Sequence, residues 1–99
     1  MKAVKIMLLK DFKYLCNKWN EGVAFYDFRF RKEGNVINGF LIVYFYRSDV
    51  LYYNIISGKK EGNNAKELFN GLLKQVEKAL SGIRLVLTLF IAEGAEIVA

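Results

Sequence analysis

The sequence predicts an α+β domain of two layers. A four-stranded, mostly antiparallel sheet carries two helices on one face, in the order α-β-β-β-α-β. Three observations predict it. Residues 23–32, VAFYDFRFRK, alternate apolar and polar with period two. Residues 36–57 are rich in aromatic and β-branched side chains and are broken once, at RSD (47–49). Residues 3–20 and 64–81 repeat apolar residues at helical spacing. A chain of 99 residues forms a single domain, 1–99, and at 54% hydrophobic it can bury one core without disulfide support.

The first element is an amphipathic helix over residues 3–20. Val4, Leu8, Phe12, Leu15, Cys16 and Trp19 fall on one arc, with Lys2, Lys10, Lys13 and Asn17 opposite. Lys5 lies inside the apolar arc, which leaves a short strand over Val4 to Leu8 as the alternative for that turn. Gly22 ends the helix. In the first strand Ala24, Tyr26, Phe28 and Phe30 face one way, and Val23, Phe25, Asp27, Arg29 and Arg31 the other. A turn at EGN (33–35) leads to a second strand, 36–47, and the RSD break to a third, 50–57. The polar segment GKKEGNN reads as a loop. Asn64 then caps a second helix, with Glu67 three residues on as in a capping box, and Gly82 stops it. Residues 83–91, IRLVLTLFI, form a fourth strand, parallel to the third and placed beside the third or the first. The tail AEGAEIVA is an ordered edge or a loose end.

The helices can cover only one face of this sheet. The second strand divides into Phe40, Ile42, Tyr44, Tyr46 and Leu41, Val43, Phe45. The third divides into Leu51, Tyr53, Ile55 and Val50, Tyr52, Ile56, and the fourth into Leu85, Leu87, Leu89 and Val86, Thr88, Phe90. None has a polar face, whereas a sheet wetted on one side should alternate cleanly. A large exposed apolar patch marks an interaction surface. A second copy of the chain is the expected cover, meeting Phe25, Tyr44, Tyr46 and Tyr52 at the sheet surface or edge. The other cover is a nucleic acid, with bases stacked on these aromatics and phosphates on Arg29, Arg31 and Arg47.

Composition removes several kinds of chemistry. Histidine is absent and there is one cysteine, so neither a Ser–His or Cys–His pair nor an intramolecular disulfide can form in one chain. No His, paired Cys or carboxylate cluster offers a metal site. Asp27 with Glu33, and Glu93 with Glu96, read as solvated surface charge. No catalytic, cofactor or metal residue is expected, and the chain reads as non-enzymatic. Net charge is +5, which permits contact with nucleic acid or an anionic membrane surface. No apolar run is long enough to span a membrane, so no transmembrane segment is expected. The N-terminal apolar patch is interrupted by Lys10, Asp11 and Lys13 and reads as mature structure in a cytoplasmic protein.

Two resemblances follow from particular stretches. The α-β-β-β-α order over residues 8–80, the hairpin FYDFRFRKEGNVINGFLIVYFY and the basic approach SGKKEGNNAKELFNGLLKQVEKAL resemble the double-stranded-RNA-binding domain. That resemblance implies phosphate contacts by Lys59, Lys60 and Lys66 near a helix N-terminus. EGNVIN stands where the family carries a proline and a histidine, and the fourth strand has no counterpart there. Small size, a Lys/Asn/Ile/Tyr bias and the stretch YFYRSDVLYYNIISGKK are similar to small proteins of crenarchaeal filamentous and rod-shaped viruses. The likeness implies a thermostable viral accessory protein in the host cytoplasm, of a family without assigned activity. No site residues carry over from it.

Overall fold

A computed structural model describes residues 3–92. Lys2, Glu93, Glu96 and the rest of the C-terminal tail lie outside the described residues. The elements are β1 (Ala3–Ile6), α1 (Leu9–Trp19), β2 (Val23–Glu33), β3 (Val36–Arg47), β4 (Val50–Glu61), α2 (Ala65–Ala79) and β5 (Arg84–Ala92). They form one five-stranded sheet in the order β1-β4-β3-β2-β5. The class is α+β, as expected, but the sheet has five strands and is mixed.

The extra strand comes from the first predicted helical turn. Val4 and Ile6 project from one side of β1, whose register pairs Ala3–Ile6 in parallel with Val50–Tyr53 of β4. Ile6 and Val4 are β-branched and gain a ladder there, whereas α1 starts only at Leu9, with no side-chain cap. Met7 N–H donates to Tyr53 O at 2.8 Å, and Asn54 Nδ2 donates to Met7 O at 2.6 Å, pinning the chain as it leaves the edge. The last strand, β5, lies in parallel beside β2, the far one of the two positions open to it. Each helix therefore belongs to a crossover, β1-α1-β2 or β4-α2-β5, and each crossover skips two strands of the sheet.

Between them runs the antiparallel meander β2-β3-β4. β4 continues to Glu61, four residues past the expected end, because Val36 of β3 still pairs with Glu61. The polar GKK is strand, and the loop is shorter than its composition suggests. Ser48 and Asp49 turn the second hairpin with φ of 50° and 68°. Two positive φ angles define the type I′ geometry, which favours Asn over Ser at the first position. Ser48→Asn should raise stability by about 0.5–1 kcal/mol, read as a rise of roughly 4 °C in Tm.

Both helices lie on one side of the sheet. Phe12 and Cys16 of α1, with Leu68, Phe69, Leu72 and Val76 of α2, pack onto Ala24, Tyr26, Phe28, Ile37, Leu41, Val43 and Phe45. The second helix starts as predicted: Glu67 N–H donates to the Asn64 side chain at 3.1 Å. Its closest approach is to β3, where Gly39 faces Leu68 and Phe28. A Cβ on Gly39 would sit 2.8 Å from Leu68 Cδ2.

Cys16 is fully buried, its Sγ 3.2 Å from Val23 O, and burial pushes the thiol up to about 11. Tyr26 is also raised, by burial first and then by the charge of Glu77. The fold favours the neutral form of both groups. Their contribution is full below the unfolded-state pKa values and lost as pH rises through the folded ones. Urea midpoints should hold through neutral pH and fall from about pH 9 upward. At pH 8, a thiol reagent should find Cys16 only after urea is added.

Candidate interaction surface

The sheet face away from the helices is built from one residue in two along each strand, because side chains alternate with period two. The cross-strand register orders them into rows. One row runs Arg84, Val23, Tyr46, Leu51, Val4. The next runs Val86, Phe25, Tyr44, Tyr53, Ile6. A third holds Leu89, Asp27, Ile42 and Ile55. Beyond these come Ile91, Arg29, Phe40 and Ser57, then Arg31, Asn38 and Lys59, and last Glu33, Val36 and Glu61. The face thus has two halves. The first three rows are mainly apolar and aromatic, with Arg84 at their β5 margin. From the Arg29 row onward the face is polar and basic, with β5 still flanking Arg29 through Ile91 and only β2, β3 and β4 remaining beyond that row.

The apolar half is open. Val4 is 56% exposed, Ile6 67%, Tyr46 53% and Ile55 43%. Tyr44 lies between Phe25, with ring centroids 5.9 Å apart, and Tyr46, also at 5.9 Å. One carboxylate, Asp27, sits within this half, and it is partnered. The Thr88 hydroxyl lies in hydrogen-bond contact with Asp27 Oδ1, and the Tyr44 hydroxyl is 2.8 Å from Thr88 Oγ1 and 3.3 Å from Asp27 Oδ1. Burial raises the Tyr44 pKa, the Thr88 hydrogen bond opposes the rise, and the charge of Asp27 adds to it.

Thr88 reaches Asp27 through a break in register. The β2–β5 pairing shifts between Tyr26 and Asp27, so Leu87 pairs with Tyr26 and Leu89 with Asp27. The extra residue is a β-bulge, which re-aims side chains. Strict alternation had grouped Leu89 with Leu85 and Leu87, and Phe90 with Val86 and Thr88. Instead, Leu89 joins the open face and Phe90 turns to the helices, where its ring lies 5.1 Å from both Phe28 and Phe69.

Of the four expected self-association residues, Phe25, Tyr44 and Tyr46 come together on this face and Tyr52 does not. Tyr52 pairs with Phe45 on the helix side, stacks on its ring at 5.3 Å and meets Trp19 at 5.4 Å. Its neighbour Tyr53 occupies the open face instead. Arg47 also points to the helix side, its guanidinium 4.9 Å from the Trp19 ring.

The expected phosphate contacts divide as well. Arg29, Arg31 and Lys59 share the basic half, where Arg31, Glu33, Asn38, Phe40 and Lys59 line a hollow of about 300 Å³. Arg31 is 3.8 Å from Glu33. Lys60 lies on the helix side, 3.8 Å from Glu67 of α2, and Lys66 is exposed on the first turn of that helix. These lysines do not form one site. Among the described residues, no group of three or more Cys, Asp or Glu is placed to hold a metal ion, and no helix is long and apolar enough to cross a membrane.

No protein-family model, no curated protein and no solved structure matches the chain.

Proposed function

We propose that this chain is a non-enzymatic interaction protein that pairs with a second copy of itself through the apolar half of its open sheet face. The observation that carries this reading is the mainly apolar surface that spans the sheet, with Tyr46, Ile55, Val4 and Ile6 exposed and Arg84 at its margin. Sheets of this kind stack face to face about 10 Å apart, and twofold pairing is the commonest way for a chain to cover such a patch. The Asp27–Thr88–Tyr44 contacts favour the same conclusion. A carboxylate already hydrogen-bonded within its own chain loses less when a partner displaces water. Two features support a role without catalysis: the chain has no histidine, and its only thiol is buried and held protonated. An accessory role in an infected host cell, implied by the likeness to viral proteins, would be that of an assembly surface. Light scattering over a wide concentration range tests the pairing: a mass of 11.4 kDa throughout would refute it.

The placement of Arg29, Arg31 and Lys59 around Phe40 favours a second reading, a face for single-stranded nucleic acid. In a gel-shift series at low salt, RNA or DNA should then be retained, with affinity falling steeply as salt rises and on Arg29→Ala or Lys59→Ala. Absence of retention removes this reading and leaves the first intact.

A further inference from the structure

A different surface lies along the outer edge of β4. β1 covers that edge only at Val50–Tyr53. Among the described residues no strand pairs with the outer side of residues 55–61. A sheet edge of this length presents unpaired N–H and C=O groups, which another extended chain can use. Edges are commonly blunted by bulges or cover. Among the described residues the strand that covers this edge, β1, stops at Ile6.

Beside this edge runs a groove of about 260 Å³, walled by Ser57, Gly58, Lys59 and Lys60 of β4 and by Glu67, Leu68, Gly71, Leu72 and Gln75 of α2. Two glycines shape it, for different reasons. Gly58 is closely packed, since a Cβ there would meet Leu72 Cδ2 at 3.2 Å and that side chain would have to give way. Gly71 is not, since a Cβ there would have no heavy atom within 4 Å. Glycine in a helix interior costs about 1 kcal/mol relative to alanine. Packing within the chain gives no return for that cost. A backbone arriving from outside would, because the missing side chain keeps the groove open.

We propose that this edge and groove bind an extended segment of another protein as an added strand, and that the segment alternates aliphatic and acidic residues. The alternation follows from the two sides of β4. On the helix side the new strand would lie beside Ile56, Gly58 and Lys60, over Leu68, Leu72 and Gly71. Small aliphatic side chains fit that floor. On the open side its neighbours are Ile55, Ser57, Lys59 and Glu61, and a carboxylate set beside Lys59 complements the lysine. A second copy is a poor occupant. Lysine on a sheet edge disfavours self-pairing, and Lys59 and Lys60 stand side by side on this one. This surface is separate from the apolar half of the open face and does not depend on it.

The test uses the intact chain and two synthetic probes, acetylated heptapeptides alternating valine with glutamate and valine with lysine, titrated by fluorescence polarisation. The glutamate peptide should bind and the lysine peptide should not. Gly71→Leu fills the groove and should weaken binding about tenfold or more while the melting temperature rises. Lys59→Glu should reverse the preference between the two peptides. Ile42→Lys, on the open face, should leave binding unchanged. Three results would overturn the proposal: no binding of the glutamate peptide, binding that Gly71→Leu leaves intact, or a concentration-dependent dimer that Gly71→Leu abolishes. The last would assign the edge to a second copy.

Discussion

Ile42→Lys should turn a particle of twice 11.4 kDa into one of 11.4 kDa by light scattering. Ile42 lies in the middle strand of the sheet, in the row of Asp27 and Ile55. A lysine there is tolerated by the isolated chain, because this face is open to water and the long side chain can lift its charge clear. It is not tolerated under a second sheet. The ammonium would be buried without a partner, and leaving one charge unpaired in an interface costs about 3–5 kcal/mol. That corresponds to a dimer weaker by a factor of a hundred or more. Asn38→Lys is the control, since it adds the same charge to the same strand and face in the basic half and should leave the mass unchanged. Dimerisation that survives Ile42→Lys would place the interface elsewhere.

Gly39→Val should lower stability by about 3 kcal/mol, a fall of roughly 12–24 °C in Tm. Valine is among the best strand residues, so secondary-structure preference alone gives the opposite sign. Packing decides. The new Cβ would meet Leu68 Cδ2 at 2.8 Å and two ring atoms of Phe28 at 2.9 and 3.0 Å. The Phe28 ring has nowhere to go, being fully buried among Phe30, Phe69 and Phe90 at centroid distances of 5.1–5.9 Å. Leu68 is the partner that can be cut back. Leu68→Ala in the Gly39→Val background should cost less than in the native chain, with a coupling of about 1–3 kcal/mol in a double-mutant cycle. Additive losses would show that α2 does not press on Gly39.

The meander and α2 were legible because each has strong local punctuation. Strand β2 alternates cleanly, GN and SD turn the hairpins, and Asn64 with Glu67 marks a helix start. β1 was legible only as the alternative to a first helical turn, because Val4 also fits a helical arc with Leu8 and Phe12, and only the distant edge of β4 gives Val4 and Ile6 a strand partner. The position of β5 is likewise a long-range choice. Its bulge leaves no mark on LVLTLF, where nothing says that Thr88 and Leu89 share a side. The site was half legible for the same reason. Alternation and register agree in putting Phe25, Tyr44 and Tyr46 on one face, but YY at 52–53 offered two tyrosines, and cross-strand register alone tells which faces the helices. The division of the face into an apolar and a basic half depends on which residues the register brings into the same rows, which is a property of the assembled sheet.

One consequence concerns β4. It is the strand that meets both prospective partners, and it shows each a different set of residues. Leu51, Tyr53 and Ile55 look toward the open face, while Ile56, Gly58 and Lys60 look toward the groove beside α2. The pleat therefore works as a separation-of-function axis. Substitutions walked along β4 one residue at a time should impair pairing and peptide capture by turns, with a period of two. Few segments allow two binding activities to be dissected genetically within twelve consecutive codons.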